Sequence, residues 1–292
     1  MTLPSSLSET GPLTRVVLKH ARDAFVDQAR VSAEWRGLNF LQEPDVVDAI
    51  AEYEIFASTI AEAGVDIHWA PSSNQVNLDS IYVRDAAVLV PGGVVLAAMG
   101  KPQRATEPDV LADTLVGAGL PVVGRITSPG TLEGGDVVWI DDVTVAVGRG
   151  YRTNEAGIDQ FRRMLGPGVT CLSVPLPHWR GPDDVFHLMS MISPVDRDLA
   201  VVYAPLLPVP FREFLLDRGY TLVEVPDDEF DSMGANVLAL GPRRCLMVDG
   251  NPETRRRLES AGADVTVYAG REISVKGGGG PTCLTRPVAR AW

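Results

Sequence analysis

Apolar positions along this chain fall in short runs that recur in a fixed order. Val88–Val90 and Val94–Ala98 flank Pro91-Gly92-Gly93, a turn signal between two apolar runs, and predict a β-hairpin. Asp109–Gly117 follows with helical spacing, and Pro121–Val123 with strand character. The plan returns at Val137–Ile140 and Val143–Val147, two strands around Asp141-Asp142. There Ile158, Phe161, Met164 and Leu165 give Glu155–Leu165 an apolar helical face, and Cys171–Val174 reads as a strand. A third copy reads Leu199–Tyr203 as strand, Pro210–Leu216 as helix and Thr221–Val225 as strand. A fourth has a hairpin at Val237–Leu240 and Cys245–Val248, a helix at Glu253–Ser260 and a strand at Val265–Val267. Each unit is strand, strand, helix, strand.

Fixed points give the period. Asp85 to Asp136 and Asp136 to His187 are both 51 residues, His187 to Asn236 is 49, and Asn236 to Cys283 is 47. Each of these residues stands at the entry to a predicted strand. A constant period of this size marks a stacked array of supersecondary units. A fifth unit can be assembled from Cys283–Val288, Val16–Leu18 and a helix at Asp45–Ala63, which would join the two ends of the chain and close a ring. Closure leaves only short, protected sheet edges. It would also gather the five strand entries at one end of a central channel. The expected fold is α/β, a five-bladed propeller of ββαβ units forming one domain over residues 1–292. A doubly wound sheet also alternates strands and helices, but the repeated hairpins count against it, since parallel sheets use helical crossovers.

Composition and charge narrow the partners. The chain has 292 residues, 45% of them hydrophobic, enough for a sizeable core. Its net charge of −12 disfavours nucleic acid or an anionic membrane and suits a cationic small molecule. No apolar run reaches the roughly 18–20 residues that span a bilayer. Met1-Thr2-Leu3-Pro4-Ser5-Ser6 has no basic start followed by an apolar stretch, so no signal peptide is expected. Three cysteines, widely spaced, make neither a disulfide framework nor a zinc site, and a reducing cytoplasm is the natural compartment. A homodimer is the default assembly.

Cys171 and Cys245 lie within apolar strands and read as inert thiols. Cys283 differs, because Gly277–Gly280 stand just before it. Such a run can bring amide N–H groups near a ligand and, with a bound cation, stabilise a thiolate; it can equally be a flexible linker. His187 sits at a repeat junction, where an imidazole can donate and accept protons, although a satisfied core histidine is the alternative. His20, His68 and His178 belong to no constellation. Carboxylates gather at two strand entries, around Asp79 and Asp85 and at Glu133 and Asp136, as turn formers or as a bidentate clamp for a planar cation. Arg104 and Arg152 follow strands and could hold a carboxylate or face solvent.

Taken in order, Arg84-Asp85, Leu132-Glu133-Gly134-Gly135-Asp136, Arg152-Thr153-Asn154, His187-Leu188 and the glycine-preceded Cys283 resemble the guanidino-group-modifying (pentein) superfamily of arginine deiminases, dimethylarginine dimethylaminohydrolases and amidinotransferases. The resemblance runs from about Asp79 to Pro287 and implies a five-bladed α/β propeller. It also implies roles. Cys283 would attack a guanidinium carbon, His187 would protonate the leaving amine and activate water, and Glu133 would orient His187. Asp85, assisted by Asp79, would bind guanidinium nitrogens, while Arg152 and Arg104 would hold the substrate's α-carboxylate. No metal or organic cofactor is implied. Deiminases and amidinotransferases carry His-x-Asp at the general-base position, where this chain has His187-Leu188-Met189. Methionine packs against apolar substituents instead of bonding N–H groups. That favours an N-substituted guanidine such as dimethylarginine, cleaved to citrulline and an amine. Arg84 before Asp85 is instead the deiminase pattern, so arginine or another guanidine or ureido substrate stands as the alternative. Amidino transfer and a catalytically silent binding protein come after these. Finally, Glu34-Trp35-Arg36-Gly37-Leu38-Asn39-Phe40, between the first strand and first helix, is either a lid over the channel mouth or a packed loop.

Overall fold

The structure, a computed structural model, describes residues 7–182, 184 and 186–291. The reading of Met1–Ser6 therefore lies outside the described residues. Five three-stranded sheets share one plan. Their strands are Ala87–Val90, Gly93–Leu96 and Val122–Arg125 in the first, and Val137–Asp141, Thr144–Arg149 and Thr170–Pro175 in the second. Ile192–Asp196, Leu199–Val202 and Thr221–Glu224 form the third; Val237–Gly241, Arg244–Val248 and Asp264–Tyr268 form the fourth. The fifth joins the chain ends, pairing Arg286–Arg290 with Leu13–Leu18 and that strand with Asp66–Trp69. In every sheet the first two strands are antiparallel and the third runs parallel to the second. A parallel return needs a crossover, and a helix supplies it each time: Glu107–Gly117, Glu155–Leu165, Val209–Asp217, Pro252–Ser260 and Val46–Glu62.

Local chemistry sets these elements. Asn154 caps the second crossover helix by accepting from the Gly157 N–H at 2.8 Å, and Gly166, at φ 79°, ends it. That helix buries Ile158, Phe161 and Leu165. Asp45 caps the longest helix through the Val47 and Asp48 N–H groups. The sequence reading overlooked Ile192–Asp196 because Pro194 interrupts its apolar pattern. It also overlooked the short helices Ala21–Phe25, Gln28–Glu34 and Asp227–Phe230. Glu34 thus ends a helix instead of opening a loop. Leu38 and Phe40 are buried in the core cluster that Tyr53 and Phe56 build, in keeping with the packed-loop alternative.

Hydrogen bonds join each unit to the next at the strand entries. Gly135 N–H donates to Asp85 (2.9 Å) and Leu188 N–H to Asp136 (3.0 Å). Ser193 bridges to Ala235 and Val237, Thr282 N–H donates to Asn236 (3.0 Å), and Arg84 N–H donates to the Cys283 carbonyl (3.2 Å). The last contact links the fifth unit back to the first. Nearby, Arg84 is fully buried on Glu9 at 2.6 Å. Arg286 donates to the Ala87 carbonyl, and Arg290 to those of Gly11 and Ala239.

Candidate active site

The five fixed points of the sequence period meet at one place. His187 Nε2 lies 2.8 Å from Glu133 Oε2, and Arg152 Nη1 lies 3.1 Å from the same oxygen. Glu133 Oε1 accepts from the Gly100 and Lys101 amides at 2.8 and 3.0 Å. All three side chains are buried. Burial alone would push the Glu133 carboxyl up, but the His187 hydrogen bond and the Arg152 charge hold it well below the ordinary carboxylate range. Burial alone would likewise lower His187. The Asp85 and Asp136 charges and the Glu133 hydrogen bond win, and its pKa rises to about 9. At neutral pH His187 is therefore a cation, ready to donate. Asp136 rises to about 6, because it is buried.

Gly135 makes this approach possible. A Cβ there would stand 2.6 Å from His187 Nδ1 and 2.8 Å from Asp85 Oδ1, closer than side chains come. Cys283 sits against Asn236, whose Nδ2 is 3.5 Å from Sγ. Burial and the Asp85 charge push its thiol up to about 11, against the hydrogen bond from Thr282. Cys283 is thus a neutral thiol at neutral pH, and it lines the same two cavities as the charged His187.

Two N–H groups of the glycine run are held inside the protein. Gly278 and Gly279 N–H groups bond the Ser274 carbonyl, and Cys283 N–H bonds that of Gly280. The run's task is close packing: a Cβ on Gly280 would meet Asn236 Oδ1 at 2.5 Å.

All four expected substrate contacts, Asp85, Asp79, Arg152 and Arg104, are paired within the protein. Arg104 was expected to face a carboxylate; its guanidinium is instead buried on Asp85 (2.6 Å), Glu107 (2.7 Å) and the Tyr82 carbonyl (3.0 Å). A buried guanidinium needs such partners, and Glu107 lies three residues on, one helical turn away. Asp79 is held by Lys101 Nζ at 2.6 Å, which also donates to the Leu38 carbonyl. Lys101 and Glu107 had no signal in the sequence, because their partners are set by the fold. Asp85, Glu133 and His187 bring ligand atoms within 4.8 Å of one another, a spacing that a metal ion could also use, but Arg104 and Arg152 sit on the two carboxylates.

Two cavities meet at Cys283 and His187. A crevice of about 20 Å³ is walled by charged groups: Asp79, Asp85, Lys101, Arg104 and Arg152. A cavity of about 370 Å³ on another side is walled by Met189, Phe186, Trp179, Phe230 and Met233, with Gly277 and Gly278 behind the thiol.

A protonated histidine ordered by a buried carboxylate, beside a thiol and a carboxylate-lined crevice, on this ββαβ plan, defines a hydrolase acting on carbon–nitrogen bonds of amidines, within the guanidino-group-modifying superfamily. More narrowly, residues 40–290 match the family model described as N,N dimethylarginine dimethylhydrolase, eukaryotic, and the chain belongs to that family. It is 33% identical over 187 residues to the N(G),N(G)-dimethylarginine dimethylaminohydrolase of Streptomyces coelicolor, 63% of this chain and 65% of that protein. An arginine deiminase of Mycobacterium avium is 30% identical over 249 residues, 72% of this chain and 60% of that one. In fold, it is similar to the dimethylarginine dimethylaminohydrolase of Pseudomonas aeruginosa, solved as a Cys-to-Ser mutant with citrulline (TM-score 0.76, 21% identity, 96% of this chain and 99% of that one).

Proposed function

We propose that this protein hydrolyses an N-substituted guanidine with Cys283 as nucleophile, on a single catalytic domain whose five sheets close into a five-bladed propeller. The cycle of hydrogen bonds at the strand entries supports the closure. The observation that carries the function is the buried His187–Glu133 pair opening on the same cavity as Cys283.

In this reading a guanidinium enters beside Asp85, and its charge brings the raised thiol down, so Cys283 gives its proton to solvent as substrate binds. The thiolate attacks the guanidinium carbon and a C–S bond forms. The C–N bond to the leaving amine breaks as that amine takes a proton from His187. Neutral His187 then draws a proton from water, which attacks the same carbon. The C–S bond breaks, the thiolate returns and a ureido product leaves. Glu133 keeps the imidazole oriented throughout, and no cofactor is needed because the guanidinium carbon is already electrophilic. Arg152, and Arg104 if it releases Asp85, are the groups for a substrate carboxylate.

Met189 packs in the cavity wall where deiminases place an aspartate, which favours N-methylated substrates; dimethylarginine, giving citrulline and dimethylamine, is the first to test. The Arg84-Asp85 pair would favour arginine itself; Arg84 is paired with Glu9 and lines neither cavity beside Cys283. Three free cysteines fit the cytoplasm, and no described helix is long and apolar enough to cross a membrane.

The test is a panel of arginine, monomethylarginine, dimethylarginine and agmatine, scored for ureido product and released amine, with intact-protein mass spectrometry after acid quench. An amidino adduct on the wild-type protein, absent from Cys283→Ser, is expected. Ammonia from arginine alone would discard the N-substituted reading. Transfer of the amidine to glycine without hydrolysis would make the protein an amidinotransferase.

A further inference from the structure

The two cavities at Cys283 differ in a way that bears on the substrate. This inference rests on Cys283 being the nucleophile. The charged crevice has room for about 20 Å³, and its cations are taken: Arg104 by Asp85 and Glu107, Arg152 by Glu133, Lys101 by Asp79. The other cavity, about 370 Å³, is in the range of small-molecule sites, and two methyl groups would fill little of it. Aromatic and thioether side chains form the larger part of its wall, with Arg180, Asp184, Asp231 and Asn236 as the polar part. Trp179 meets Phe230 edge-on at 6.3 Å, and Phe230 stacks on Tyr203 at 3.9 Å, which fixes the ring. The rim cation, Arg180, is paired at the surface with Asp231, one nitrogen reaching both carboxylate oxygens at 2.8 and 2.9 Å, and lies over Trp179.

From this we propose that the guanidine this enzyme hydrolyses carries a bulky apolar substituent, aryl-alkyl or long alkyl, seated against Trp179, Phe186, Met189, Phe230 and Met233. The guanidinium reaches Cys283 and Asp85, and the apolar group fills the larger cavity.

The experiment compares kcat/KM of the full-length protein for phenethylguanidine and butylguanidine with methylguanidine, arginine and dimethylarginine, by ureido product and by the mass of the Cys283 adduct. Phenethylguanidine is expected to exceed both methylguanidine and dimethylarginine by about tenfold or more. Phe230→Ala and Trp179→Ala should each lower the phenethyl-to-methyl ratio by about tenfold. Should either variant fail to fold, the ranking of the wild-type protein decides alone. A preference for dimethylarginine or arginine, with an adduct on Cys283, overturns this inference and leaves the nucleophile standing. Absence of product and adduct with every guanidine overturns both.

Discussion

Glu133→Gln removes one of the three carboxylates that, with Asp85 and Asp136, hold His187 charged, while keeping nearly the same shape. His187 rises from 6.5 to about 9 in the fold, so its charged form carries ~3 kcal/mol of stability that the ordinary imidazole lacks. The sign follows from the direction. A raised histidine stabilises fully below about pH 6.5, and the gain is lost as pH climbs through about 9. Glu133, held down, adds stability above the ordinary carboxylate range and loses it only in acid. The wild-type advantage over Glu133→Gln in thermal melts should therefore be large at pH 6–7 and shrink above pH 9. Activity should show the same group. The proton donor is His187 in its charged form, so the alkaline limb of the pH–rate profile near pH 9 should move to lower pH in the variant. The rate at neutral pH should fall about 10²–10⁴-fold, the range of a lost acid–base catalyst. Initial rates of ureido product from pH 6 to 10 measure both. An unmoved alkaline limb, with kcat/KM within threefold of wild type, would refute the idea that Glu133 governs the His187 proton.

Arg104→Ala strands the buried carboxylates of Asp85 and Glu107 and should cost about 3–5 kcal/mol, read as a fall in Tm and urea midpoint; a change confined to KM would mean that Arg104 serves the substrate and not the fold. Gly135→Ala drives a methyl into His187 and Asp85 and should lower kcat about 100-fold or more, with folding checked by circular dichroism. Alkylation of Cys283 by iodoacetamide in the free protein should be slow at pH 7 and climb steadily toward about pH 11, because the thiol is raised by burial; a plateau below pH 8 would contradict a neutral resting thiol.

The repeat was legible because each unit must bury the same faces. Short strands with continuous apolar runs and one crossover helix leave a period that survives sequence divergence, and it put Asp85, Asp136, His187, Asn236 and Cys283 at equivalent strand entries. Their meeting follows from repetition alone. Ile192–Asp196 escaped because the ladder tolerates Pro194 at a position where pattern reading takes proline as a break.

Partners separated by long stretches of chain were not legible. Nothing local links Lys101 to Asp79 or Arg104 to Asp85, because an arginine's partner depends on which carboxylate the fold brings within about 3 Å. The charge state of Cys283 is of the same kind: the glycine run hinted at a stabilised thiolate, and burial beside Asp85 makes a raised thiol. Chain order and periodicity by themselves determined the ββαβ plan and the ring of functional positions. Tertiary structure alone decided which charges neutralise one another and which cavity stays open, since desolvation and Coulomb energies depend on distances through space and not along the sequence.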